Sequence, residues 1–146
     1  MELLDKLKPL GLLGLRAALA LIFIYHGFPK LTHTHQYVQD FAQYGFPAYF
    51  VIIAAMLEVF GGGLIFAGLF TRLAALLLAG EMVVALCRVH LPAAGLYQLP
   101  RYQLPLVLAA ASFALATTGA GMLSIDYAIF GKRGKSSRRS RSKREE

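Results

Sequence analysis

The sequence predicts an all-α integral membrane protein built as a four-helix bundle. Hydrophobic residues make up 57% of the 146-residue chain, more than a soluble domain of this size carries. Charged residues make up only 16%, and the basic ones crowd toward one end. Four apolar stretches each approach the roughly 20 helical residues that cross a bilayer core about 30 Å thick.

The spans are expected over Leu10 to Phe28, Ala48 to Phe70, Thr71 to Leu91 and Gln103 to Ile125. The first is as long as a span and has no small-residue cleavage site before the next loop, so it should stay in the mature protein. Pro9 and Pro47 precede the first two spans, Pro92 follows the third, and Pro105 sits in the first turn of the fourth. At these places a missing backbone donor costs little. The second and third spans form a tight hairpin through Gly68, Leu69, Phe70 and Thr71, with Thr71 a plausible N-cap beside Arg72. Lys30 to Phe46 and Pro92 to Tyr102 are longer polar and aromatic connections on the opposite side. This divides the chain into an N-terminal segment (1–9), a transmembrane domain (10–127) and a basic tail (128–146).

Lys6, Lys8, Arg72 and the eight basic residues from Lys132 to Arg144 fall on one side, against Lys30, Arg88 and Arg101 on the other. The positive-inside rule then places both termini in the cytoplasm. The tail has no apolar content to bury and should be disordered. Its expected role is to fix topology and touch anionic lipids, not to bind nucleic acid.

Charge deep in a bilayer costs several kcal/mol, so an ionisable group inside a span normally faces protein or water and has a partner. Arg16, Glu58 and Glu81 are such groups. A helical rise of about 1.5 Å per residue puts both acids near mid-membrane and Arg16 slightly nearer the cytoplasm. Ala54, Gly61 and Gly62 share a stripe with Glu58, allowing close packing. The expectation is that Arg16 meets Glu58 and Glu81, that Glu81 also looks toward Arg88, and that one carboxyl of this acid-rich set keeps a proton. Such a centre suits a proton-linked or ligand-binding site. The alternative is a polar network that only fixes helix register.

His26, His33, His35 and His90 gather at the outer end with Lys30 and Arg88. His33 and His35 lack carboxylate or thiol neighbours at ligand spacing, so no metal site is expected. His26 and His90 belong to the interface, as does the tyrosine belt. Cys87 is alone, which excludes an internal disulfide or CxxC relay; its expected role is packing. No CxxCH and no dinucleotide fingerprint occur, so electrons, if they move here, travel on a partner or a diffusible quinone.

Taken in order, several pieces resemble the DoxX family of bacterial and archaeal membrane proteins over about Leu12 to Tyr127. They are Leu15-Arg16, Tyr25-His26-Gly27-Phe28-Pro29-Lys30-Leu31, Glu58 with Gly61-Gly62, Gly68-Leu69-Phe70-Thr71-Arg72, Val89-His90-Leu91-Pro92, and Gly119-Ala120-Gly121 running into Ser124-Ile125-Asp126. The resemblance implies a four-helix bundle in the bacterial inner membrane. Some members are linked to quinone-dependent sulfur oxidation or to redox-stress complexes, so it also implies a redox-associated component and a bound quinone or small lipophilic ligand. Arg16, His26, Lys30, Glu58, Arg72 and His90 carry over by motif. Relatives often have glutamate at the start of the fourth helix where this chain has Gln103, so a mechanism needing that carboxylate does not transfer. Competing expectations are a non-enzymatic scaffold recruiting a soluble or membrane partner and a small proton-coupled transporter, which at this length would work as a homo-oligomer.

Overall fold

A computed structural model describes residues 2–94 and 98–131, with the side chains of 2–4, 93, 94 and 131 left undescribed. Tyr97 and the basic tail beyond 131, with its expected disorder and lipid contact, lie outside the described residues. In chain order the helices are α1 (Glu2–Thr32), α2 (Thr34–Gln43), α3 (Tyr49–Ala67), α4 (Thr71–Ala85), a π-helical turn (Leu86–His90), α5 (Leu91–Ala94), α6 (Leu99–Thr118) and a second π-helical turn (Tyr127–Gly131). Four stretches are long and apolar enough to cross a membrane: Asp5–Thr32, Tyr49–Ala67, Thr71–His90 and Leu99–Thr118. The chain is a multi-pass membrane protein.

α1 packs chiefly on α3, α3 on α4, α4 on α6, and α6 returns to α1, so the four spans close a ring. The core between them is narrow and built from small residues, including Ala54, Ala55, Gly61, Gly62, Ala74 and Ala75, with Phe23, Ile65, Leu78 and Leu115 filling the centre. Bulky residues point outward instead: Leu21 is 71% exposed and Phe60 60% exposed. In water such a surface would aggregate; against acyl chains it is the solvated face.

Several expected boundaries shift. Helix α1 begins at Glu2 and contains both Pro9 and Pro29, so Pro9 does not mark a helix start. Pro105 lies inside α6, whose first turn holds Pro100. The fourth span ends at Thr118 because Gly119 and Gly121 take positive φ, and the segment expected to continue it to Ile125 folds back across the bundle end. The connection expected over Lys30 to Phe46 contains the short helix α2.

The α3–α4 turn is as tight as expected, but Thr71 does not cap it. Asp126, arriving from beyond α6, accepts the Phe70 N–H at 2.8 Å on Oδ1 and the Thr71 N–H at 2.9 Å on Oδ2. A carboxylate at a helix N-terminus satisfies free amides and opposes the helix dipole. Thr71 Oγ1 is itself buried without a hydrogen-bond partner among the described residues. Gly68 has φ +72°, and a Cβ there would lie 2.5 Å from Arg16 Nη2, so the turn needs glycine both for its dihedral and for room.

Candidate functional site

Arg16 is 2% exposed, and its contacts overturn the expected pairing with Glu58 and Glu81. Its guanidinium donates to four backbone carbonyls. Nε reaches Ile65 at 2.8 Å, Nη2 reaches Phe66 at 2.6 Å, and Nη1 reaches Ala120 at 3.1 Å and Leu123 at 2.6 Å. Ile65 and Phe66 lie in the last turn of α3, where carbonyls lose their regular helical partners, Ile65 also accepting the Gly68 N–H at 3.2 Å, and Ala120 and Leu123 belong to the folded-back segment. Arg16 therefore fastens α1 to the ends of α3 and α6. The physical reason is side-chain direction: side chains on a helix lean toward its N-terminus, so Arg16 reaches away from Glu58, while Ile65 lies seven residues, about 10 Å, farther along α3.

The same lean brings Lys30 back along α1 and carries Glu58, on antiparallel α3, toward it. Lys30 Nζ donates to Glu58 Oε2 at 2.6 Å, with side chains 15% and 3% exposed. Gly27, one turn before Lys30, allows the approach: a Cβ there would lie 2.7 Å from Glu58 Cβ and 3.1 Å from the Ala55 carbonyl. Glu81 joins from α4, close enough for Glu58 and Lys30 both to act on its charge. Its Oε2 is buried with no hydrogen-bond partner among the described residues. Arg88 is not that partner, because its guanidinium lies 5.6 Å from the centroid of the Phe46 ring.

Two cavities of about 190 Å³ each meet at this pair and share Lys30, Glu58, Met82 and Ala85 in their walls. One is apolar and aromatic, with Phe41, Phe46, Phe50 and Glu81 completing it. Lys30 also sits 6.0 Å above Phe41, and the rings of Phe41, Phe46 and Phe50 follow one another at 5.8 and 5.3 Å. The second cavity is lined by His26 and His90. His26 Nδ1 lies 2.8 Å from the Ile22 carbonyl and His90 Nδ1 lies 3.0 Å from the Ala85 carbonyl. A carbonyl only accepts, so Nδ1 is the donor in each, and each neutral ring leaves Nε2 as an acceptor. The π-helical turn sets His90 over a carbonyl five residues back. Turns of this kind recur at functional sites.

The expected constellation thus divides. Glu58 and Glu81 line one cavity with Lys30, not Arg16, beside them, and His26 and His90 line the adjoining one. Arg88 is exposed beside Phe46. Thr71 and Arg72 lie at the far, hairpin end, where Arg72 packs against Gly119. Sequence reasoning missed the aromatic wall of Phe41, Phe46 and Phe50; the signal was the recurrence of phenylalanine across the α2–α3 connection. Among the described residues no group of three or more His, Cys, Asp or Glu could hold a metal ion.

The sequence model of the family described as DoxX matches residues 11–91, the stretch containing every candidate residue above. A Bacillus subtilis (strain 168) protein named "Putative oxidoreductase CatD" is 31% identical over 127 residues, 87% of this chain and 92% of the relative. An Escherichia coli (strain K12) protein named "Inner membrane protein YqjF" is 32% identical over 127 residues, 84% of this chain and 95% of the relative. No solved structure matches.

Proposed function

This chain belongs to the DoxX family, and from that premise we propose that it is a redox-associated inner-membrane component that holds a quinone or similar small lipophilic ligand in the aromatic cavity beside Lys30, Glu58 and Glu81. The observation that carries this reading is the buried Oε2 of Glu81, without a hydrogen-bond partner among the described residues, at the wall of a mostly apolar cavity that Lys30 and Glu58 also line. Buried polar atoms are seldom left unpaired unless a ligand or water meets them. Binding cavities are mostly apolar with a few placed polar groups.

The residues suit a quinone. Phe41, Phe46 and Phe50 offer ring faces to a flat headgroup, and the Lys30 ammonium has N–H groups beyond the one given to Glu58. A bound quinone would supply a two-electron, two-proton couple. Lys30 would orient a carbonyl oxygen, and Glu58 would hold Lys30 in place. With one cysteine in the chain, electrons would arrive through a redox partner. The oxidoreductase name of the Bacillus relative and the membrane name of the Escherichia relative support this assignment. The excess of Lys and Arg on the hairpin side and in the tail supports cytoplasmic termini and an anionic-lipid contact there.

The test is extraction of the full chain, purified in native lipid discs, followed by ultraviolet spectroscopy and titration with a short-chain ubiquinone. Bound quinone and saturable binding are expected, weakened about tenfold or more in Lys30→Met and Phe46→Ala, as for a lost central contact. No quinone in the extract together with no saturable binding would overturn the reading.

A further inference from the structure

We propose that the histidine-lined cavity is the proton route into the ligand site, with His26 and His90 passing protons by way of the Lys30–Glu58 pair to Glu81. This deepens the ligand-site reading above and rests on the same residues, yet its test needs no ligand, so the two can fail separately.

The route has a mouth, a relay and a destination. His26 is exposed and also lines the cavity, so it touches both the surroundings and the interior. His90, half-buried, faces the same space from the opposite side of the ring of helices. Both present Nε2 as an acceptor, the state a proton relay needs, because Nδ1–H is committed to backbone. His26 and Glu58 line the same cavity. The Lys30–Glu58 pair, contacted by both cavities, is the partition that a proton crosses.

The destination follows from counting charge. Two carboxyl groups, Glu58 and Glu81, face a single cation, Lys30. Among the described residues lining the two cavities there is no further Lys or Arg: α6 contributes Leu104, Pro105 and Leu108, α2 contributes Phe41, the two histidines stand at the wall of the second cavity, and Arg88 is turned onto Phe46. An uncompensated unit charge out of contact with water is costly. A proton on one carboxyl removes that cost and turns Glu81 from an acceptor into a donor for an oxygen in the aromatic cavity. In each transfer a histidine Nε2 takes a proton from hydronium, an O–H bond breaking as the N–H bond forms and water leaving. That N–H bond then breaks as an O–H bond forms on Glu58, the ring returns to its neutral state, and the Glu58 O–H bond breaks in turn as one forms on Glu81.

Infrared spectroscopy of the full chain in lipid tests the route. The wild type should show a protonated-carboxyl band that is absent in Glu81→Gln and that shifts on mixing with heavy water. In His26→Phe/His90→Phe that shift should slow about a hundredfold, the low end of what a positioned proton-transfer group contributes. His26→Gln, at an exposed position that tolerates exchange, gives a second variant and should slow it in the same direction. A wild type without the band would overturn the proposal. So would a band that exchanges as fast in folded His26→Gln as in wild type. A quinone that fails to bind while the band behaves as stated would remove the ligand reading and leave the route standing.

Discussion

Replacing Arg16 with Met removes a cation whose four hydrogen bonds all go to backbone, and the cost can be worked from their surroundings. The bonds to Ile65 and Ala120 are buried, while those to Phe66 and Leu123 are partly buried. An acceptor left unpaired in the interior costs about 1–3 kcal/mol. The Ala120 carbonyl therefore accounts for about 1–3 kcal/mol; Ile65 keeps the Gly68 N–H at 3.2 Å and loses about 1 kcal/mol as one net hydrogen bond, and the other two recover part of their bonding from water. Relief from burying a guanidinium offsets some of this loss, leaving a net destabilisation of about 1–3 kcal/mol. Arg16→Lys keeps the charge but not the planar fork that spans two helix ends, so it should restore less than half of the loss. Unfolding in mixed micelles, followed by circular dichroism, measures both variants. An Arg16→Met protein as stable as wild type would refute the view that the bundle end depends on this residue.

Three further outcomes follow from the same contacts. Lys30→Met strands a buried carboxylate and should destabilise by about 3–5 kcal/mol, whereas Lys30→Met/Glu58→Met should lose clearly less; a double-mutant cycle in the same micelles measures the coupling. Gly27→Val places side-chain atoms against Glu58 and the Ala55 carbonyl and should cost about 1–3 kcal/mol as an overpacked contact, with a matching loss of quinone affinity in the titration above. Asp126→Ala removes the cap on α4 and should cost about 1–2 kcal/mol, with faster amide exchange at Phe70 and Thr71 by mass spectrometry and little change at the Lys30 site.

The spans were legible because long apolar runs leave few alternatives in a bilayer, and the α3–α4 hairpin was legible because Gly68 to Thr71 leaves no room for anything but a turn. Glu58 and Glu81 were legible as a pair because their depths agree. Arg16 was assigned the wrong partner because depth was counted at Cα, while a long side chain displaces its charge toward the helix N-terminus, and on antiparallel helices that displacement decides who meets whom. The same correction brings Lys30 inward from the membrane surface. The π-helical turn that seats His90 leaves the apolar pattern of the third span unbroken and so gave no signal. Asp126 caps an amide 55 residues away, beyond the reach of any local motif.

The guanidinium of Arg16 joins carbonyls 49 and 107 residues downstream. During synthesis, then, the first helix waits: when the α3–α4 hairpin has been made only half of its acceptors exist, and the remainder come with the segment after α6. A chain stopped after α4 would hold a half-satisfied arginine at the rim of an open ring. Closure of the ring is registered at the end of the bundle opposite the Lys30–Glu58 pair.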